Sequence, residues 1–178
     1  MTSKPPERLY IEAIPTPVGE GRLVTDGEGN LRAFDWASHE ARMHLLLRRQ
    51  YRTAPSLEAG HAPQGIKQAF EAYFAGDLDA LIPIAWRTGG TEFQRKVWTA
   101  LCAIPAGQTE SYGQLAARIG LPKAVRAVGL ANGANPVGVV VPCHRVIGAN
   151  GSLTGYGGGI ERKRWLLAHE AAALRQAA

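Results

Sequence analysis

Cysteine and long hydrophobic runs are what this chain has least of. Two cysteines, Cys102 and Cys143, in 178 residues are too few for a disulfide framework and point to a reducing compartment. Their spacing alone leaves a single Cys102–Cys143 bridge open. No Cys/His cluster offers the three or four ligands of a zinc site, and nothing calls for a metal or another cofactor. No stretch approaches the ~18 consecutive apolar residues of a membrane span. Met1 to Pro6 lacks the apolar core of a secretory signal. A cytoplasmic protein with no membrane partner is therefore expected. Acidic residues are scarce in one half only. Residues 1–85 carry 9 Lys/Arg and 11 Asp/Glu, whereas residues 86–178 carry 11 and 4, so the net +5 joins an acidic half to a strongly basic one. A basic half favours an anionic partner, nucleic acid first, although a merely solvated basic surface has the same composition.

What is present suits one sizeable domain or two small ones. Residues 9–16, Gly21 to Thr25 and Leu31 to Trp36 read as short strands, the last two separated by the turn cluster Asp26 to Asn30. Ser38 can cap a helix running to about Arg52, with Ala41 and Leu45 on one face and Arg48-Arg49 on the other. Pro55 to Pro63 reads as a polar connection. A second helix is expected from Gln64 to Phe74, with Ile66, Phe70 and Phe74 at helical spacing and Gly76 as its stop. This half reads as an α/β scaffold without recognisable chemistry, and Gly89-Gly90 marks a linker. The predicted domains are 1–88 and 89–178.

The second half is mostly helical by its spacing. Thr91 can cap a helix over Glu92 to Ala103 with Phe93, Val97, Leu101 and Ile104 as its apolar stripe; Cys102, with no charged partner, reads as packing. Ser111 can cap a short helix over Tyr112 to Ile119. Gly120-Leu121-Pro122 breaks it, and another follows from Lys123 to about Ala131. Together they make a helix-turn-helix candidate, a pattern that two ordinary packed helices share. On its second helix Arg126, Gly129 and Gly133 share a face, one arginine surrounded by almost nothing, which allows close approach to a nucleic acid groove.

The loop Asn132 to Pro136 leads into Val137-Gly138-Val139-Val140-Val141, which reads as a buried strand rich in β-branched residues. Pro142 ends it, having no N–H for a ladder. Cys143 and His144 then emerge where a buried strand meets a turn, a place to hold a nucleophile rigidly. Taken alone they read first as a small hydrophobe and a satisfied histidine, and only the context on both sides reverses that. Thr154-Gly155-Tyr156-Gly157-Gly158-Gly159 is an adaptable loop with exposed N–H groups. It is a poor dinucleotide fingerprint, because position 175, where an acid belongs, is arginine. A last helix, about Glu161 to Leu174, brings Trp165, His169 and Glu170.

Arg126-Ala127-Val128-Gly129, Asn135-Pro136, Pro142-Cys143-His144-Arg145-Val146-Ile147-Gly148, Gly155-Tyr156-Gly157-Gly158-Gly159 and Trp165-Leu166-Leu167-Ala168-His169-Glu170 stand in the order and spacing of the O6-alkylguanine-DNA alkyltransferases. From Thr91 to Glu170 the chain resembles that family's active domain throughout. Residues 1–85 resemble, more loosely, the ribonuclease-H-like N-terminal domain of its bacterial members. The resemblance implies duplex DNA carrying O6-alkylguanine as partner, with alkylthymine a further substrate. It implies a monomer able to assemble along DNA, and one irreversible transfer of the alkyl group to Cys143. His144 would take the thiol proton through a water, Glu170 would orient His144, and Asn135 would be the hinge behind the cysteine. Arg126 would fill the place of the extruded nucleotide, with Ala127 and Gly129 on the DNA-facing helix. Tyr112 would assist extrusion and bond the base. Backbone at Cys143, Val146 and Gly157 would hold the base edges, with Tyr156 shaping the pocket. Some relatives carry serine where this chain has Gly157, and Gly138 with the three glycines 157–159 is expected to leave room for adducts larger than methyl. The first half has no cysteine, so neither a zinc site nor a regulatory acceptor cysteine is expected there.

Physical chemistry supports that reading. A thiol of unperturbed pKa about 8.5 is mostly protonated at neutral pH and needs a base. Chemistry on O6 of a paired guanine requires the base to leave the stack, at a cost of a few kcal/mol. Three alternatives compete. A binding module of the alkyltransferase-like kind lacks the acceptor cysteine, which this chain has. A Cys-His hydrolase needs His144 to reach the Cys143 thiol, and neighbours on an extended segment point to opposite sides. A plain DNA-binding regulator needs side chains that read base edges, which the Arg126 face does not supply.

Overall fold

The computed structural model describes residues 6, 8–53 and 55–178; Met1 to Pro5, read above for a signal segment, lie outside them. Among the described residues no helix is long and apolar enough to cross a membrane, and Cys102 and Cys143 are free thiols.

Strands β1 (Leu9–Ile14), β2 (Gly21–Asp26) and β3 (Leu31–Trp36) form an antiparallel meander. The β2–β3 turn closes on Asp26, whose Oδ1 accepts from the backbone N–H groups of Glu28 and Asn30, both at 2.9 Å. This is the local bonding that makes Asp a turn former. β4 (Leu57–Ala59) adds to β1 in parallel, giving the order β3-β2-β1-β4. The segment 55–63 is thus not simply a connection. Its three-residue strand is hardly buried, so it carries no alternation for the sequence to show.

Helix α1 (Glu40–Tyr51) packs on one sheet face through Met43, Leu47 and Tyr51 against Leu9, Val24 and Ala33. Ser38 does not cap it. A short 3-10 turn, Ala37–His39, intervenes, the Ser38 hydroxyl bonds the His39 ring, and Leu45 faces solvent. Helix α2 (Gln64–Ala75) buries Ile66, Phe70 and Tyr73 and stops at Gly76, which adopts φ 113°. That left-handed conformation is cheap only for glycine.

In the second half α3 (Glu92–Leu101) and α4 (Tyr112–Arg118) both begin in capping boxes. Thr91 pairs reciprocally with Gln94, and Ser111 with Gln114. α5 (Val125–Gly133) follows α4 after the turn at Gly120. Two-residue strands β5 (Glu110–Ser111) and β6 (Val146–Ile147) pair in parallel, and α6 (Ile160–Ala177) closes the chain. Cys102 lies just past the end of α3 and is exposed, so the packing role expected of it does not hold.

All six residues of β3 are buried because its outer edge is covered as well as its faces. Leu31 bridges to Trp86, and Phe34 to Val137, with the Phe34 N–H donating to Pro136 O at 2.9 Å. One apolar cluster runs from Phe34, Trp36 and Phe70 to Val97, Trp98 and Leu101, spanning both halves. The Gly89-Gly90 join is packed: the Gly89 N–H donates to Gln50 Oε1 at 3.1 Å, and a Cβ there would lie 2.8 Å from the Gln50 carbonyl.

Residues 137–141 are not a strand. Apart from the Val137 bridge they fold as tight turns, with Val141 N–H donating to Val137 O at 2.9 Å, Cys143 N–H to Val141 O at 2.8 Å, and Val139 at φ 68°. The reason is Asn135. Its Oδ1 accepts from Val137 N–H at 3.0 Å while its Nδ2 donates to Val141 O at 2.8 Å. In an extended segment those two groups would stand about 13 Å apart, beyond one side chain. Val137, Val139 and Val141 are still buried, which is why the run reads as a strand.

Candidate active site

Cys143, His144 and Arg145 form a 3-10 turn, all three buried, directly before β6. The extended geometry invoked against a direct Cys143–His144 contact therefore does not apply. Behind the turn stands Glu170 of α6, completely buried. Its carboxylate accepts from His144 Nε2 at 2.8 Å, Tyr73 Oη at 2.8 Å, Arg145 Nη2 at 2.8 Å and Nε at 3.1 Å, and Gly107 N–H at 3.0 Å. Burial alone would raise the Glu170 carboxyl, but the bonds from His144 and Arg145 outweigh it and hold the group well below the usual carboxylate range. An ionised Glu170 can only accept, so His144 carries its proton on Nε2, and Nδ1 has a free lone pair. Nδ1 is buried without a partner among the described residues. Burial lowers the His144 pKa, with Glu170 opposing, so the ring is neutral and able to take a proton.

Cys143 is buried, with 6% of the residue exposed. Burial raises its pKa, partly offset by a hydrogen bond with the Asn135 side chain and the charges of Arg42 and Lys163. A Cys-His hydrolase relies on a thiolate of lowered pKa, and this thiol is shifted the other way. Cys143 lines a cavity of about 220 Å³ with Tyr112 of α4, with Gly129, Asn132 and Gly133 of α5, and with Gly155, Tyr156 and Gly157 of the loop before α6. Tyr112 Oη donates to Thr154 O at 3.2 Å and so ties α4 to that loop.

Comparison with known proteins decides what this arrangement belongs to. The family model of the 6-O-methylguanine DNA methyltransferase DNA-binding domain matches residues 92–172. The methylated-DNA–protein-cysteine methyltransferase of Salmonella typhimurium is 52% identical over 164 residues, 92% of this chain and 96% of that protein. Its Mycobacterium tuberculosis counterpart is 45% identical over 161 residues, 89% and 90% of the two chains. The chain belongs to the methylated-DNA–protein-cysteine methyltransferases. The crystal structure of the M. tuberculosis O6-methylguanine methyltransferase superposes with a TM-score of 0.76 at 42% identity, over 93% of this chain and 94% of that one. Its complex with DNA gives 0.75 at 42% identity with the same coverage. The architecture, a mixed sheet plus helices, is thus that of the family, and its activity is DNA repair by alkyl transfer.

In this methyltransferase the structure brings Cys143, Tyr112, Gly129, Tyr156 and Gly157 around one cavity; Asn135 does not line it but hydrogen-bonds the Cys143 thiol, and His144, next in the chain, is bonded to Glu170. Val146 is different. It does not line the cavity; its side chain is fully buried and its carbonyl is engaged by Lys163 Nζ at 2.5 Å. Arg126 and Ala127 are exposed on α5 outside the cavity. Their face is less empty than its glycines promise, because Leu130 at i+4 from Arg126 is 72% exposed.

The glycines leave less room than expected. A Cβ at Gly157 would fall inside the Arg42 guanidinium, and one at Gly158 would lie 2.5 Å from the Trp36 ring. They are glycine so that side chains of the first half can reach the loop. Arg42 spans the halves, donating to Asp35 Oδ2 at 2.6 Å and to Gly133 O at 2.8 Å. The half read as a plain scaffold thus braces two residues that line the cavity, Gly133 and Gly157.

Three residues that sequence reasoning passed over stand out: Arg42, Asn132 and Lys163. Lys163 is fully buried, and besides Val146 O its ammonium donates to the carbonyls of Thr154 and Gly155, both at 3.3 Å. A lysine three residues into a helix carries no sequence signal of burial; only the carbonyls converging on it reveal the role. Lys163→Met keeps the length and abandons those carbonyls. We expect it to destabilise the protein by about 1–3 kcal/mol, to speed proteolysis after Tyr156, and to slow alkyl transfer. Unchanged proteolysis of the loop would show that it is held by other means.

Proposed function

We propose that Cys143 is the acceptor in a single-turnover, irreversible repair of O6-alkylguanine in duplex DNA. The observation that carries this is the buried Cys143 thiol at the cavity floor, backed by a neutral His144 whose Nε2 is committed to Glu170. The thiol proton passes to His144 Nδ1 through a bridging water. The thiolate displaces the alkyl carbon from O6, the C–O pair stays on the base, and one proton returns to it. Thiol and alkylguanine become thioether and guanine. Because the resting thiol is protonated and His144 is lowered, deprotonation is confined to the moment of reaction.

The target base reaches Cys143 by leaving the helix. α4, the turn at Gly120 and α5 act as a helix-turn-helix that approaches through the minor groove, where Arg126 fills the vacated stack and Ala127 and Gly129 allow close contact. Tyr112 steadies the extruded nucleotide. Gly157 N–H and the Cys143 backbone hold the base edge, Tyr156 bounds the alkyl end, and Asn135 fixes the acceptor turn. O4-alkylthymine is a second substrate. Residues 1–88 form the ribonuclease-H-like domain and 89–178 the acting one. The protein works as a monomer in the cytoplasm and needs no cofactor. Phosphate contacts from the basic half make binding salt-dependent.

Intact mass after incubation with duplex DNA bearing one O6-methylguanine tests the proposal. The expected result is a stoichiometric gain of one methyl group that vanishes in Cys143→Ala. DNA binding without a mass change would leave a binding module with a buried thiol. The rate is also expected to hold steady as pH falls from 8 to about 6.5, the ordinary histidine value, because His144 is lowered and stays neutral throughout. A tenfold loss across that range would remove His144 as the base.

A further inference from the structure

Asn132 is buried to 6% exposure at the last turn of α5 and lines the cavity together with Cys143. Its Nδ2 reaches toward the Cys143 carbonyl at 3.5 Å, while its Oδ1 is buried with no partner among the described residues. Native proteins rarely leave a buried amide oxygen unpaired, and those that do usually have a ligand or water to complete it. The side chain is not there for packing alone, since leucine would fill similar volume without an unsatisfied acceptor. It is also distinct from Asn135, both of whose amide atoms are satisfied by the acceptor turn.

The chemistry of the substrate narrows what can satisfy this oxygen. O6-alkylguanine has lost the hydrogen on N1, and its N3 and N7 are acceptors, so its only N–H donors are those of the exocyclic 2-amino group. O4-alkylthymine has no N–H at all. We propose that Asn132 is a specificity residue whose Oδ1 accepts a hydrogen bond from the 2-amino group of the extruded base, selecting alkylated guanine over bases that lack that donor. This rests on the alkyl-transfer reading above. A bound base without the amine leaves the buried oxygen unpaired, so the discrimination comes from an unmet acceptor, a stronger filter than a missing apolar contact.

The test compares single-turnover transfer from two duplexes identical except that one carries O6-methylguanine and the other O6-methylhypoxanthine, which lacks only the 2-amino group. The wild type should prefer the guanine by about tenfold or more. Asn132→Ala and the similarly sized Asn132→Leu should bring the ratio near one, and Asn132→Asp, which keeps the acceptor, should retain the preference. Reading a ratio within each variant cancels general losses of folding or DNA binding. A wild type that treats the two substrates alike overturns the inference without any variant, as does a preference that survives in Asn132→Leu. A wild type that gains no methyl from O6-methylguanine fails the underlying reading instead, which separates the two.

Discussion

Glu170→Ala is expected to lose about 3–5 kcal/mol of stability, or about 10 °C in melting temperature for a chain of this size. The size follows from what Glu170 leaves behind. The Arg145 guanidinium stays buried beside it with Ile104 O as its remaining partner, and Tyr73 Oη and the Gly107 N–H lose their acceptor. Where the variant is still folded, transfer should fall by about a hundredfold, because His144 loses the carboxylate that fixes its tautomer. The pH dependence has a definite sign. Glu170 is lowered in the folded state, so the unfolded chain binds more protons in acid. The stabilisation is complete above the unfolded value of about 4.3 and is lost as pH falls through the folded value. His144 is lowered too and adds a loss that begins below about pH 6.5. Denaturant midpoints against pH should therefore decline more steeply below pH 4 in the wild type than in Glu170→Ala. Parallel curves would mean that Glu170 is not the group that titrates.

Asn135→Ala comes next in size. The amide satisfies two buried backbone groups, Val137 N–H and Val141 O. Its loss leaves Val137 N–H unpaired, at about 1–3 kcal/mol, and removes one of two bonds to Val141 O, which keeps Cys143 N–H, at about 0.5–1.5 kcal/mol, so about 1.5–4.5 kcal/mol in total. The turn it closes also holds Val139 at φ 68°, a strained conformation for a β-branched residue. Without the clasp the segment can relax, and Cys143 moves with it. Transfer should drop more than stability explains, since the thiol also loses the hydrogen bond that favours its ionised form. Asn135→Asp separates the contributions: it still accepts from Val137 N–H but cannot donate to Val141 O. It should fall between wild type and alanine in melting temperature. An aspartate variant as stable as the wild type would show that the Val141 bond contributes nothing.

Much of this protein is legible from residues alone. The strands β1 to β3, the caps at Thr91 and Ser111 and the stop at Gly76 follow from local rules, because each signal lies within a few positions of its effect. The order of the motifs around Cys143, His144 and Glu170 likewise belongs to the sequence, and so does the family they resemble. What the sequence misread is where a distant group overrides local composition. Residues 137–141 have the make-up of a strand, yet one asparagine clasps both ends and folds them into turns. Gly157 and Gly158 read as empty space, yet Arg42 and Trp36 from more than a hundred residues away fill it. Lys163 and Asn132 look like surface and loop residues until the fold buries them against carbonyls and the cavity. Local propensity acts over one turn of chain. Burial and the satisfaction of buried polar atoms are properties of the assembled core, so only the tertiary structure decided them.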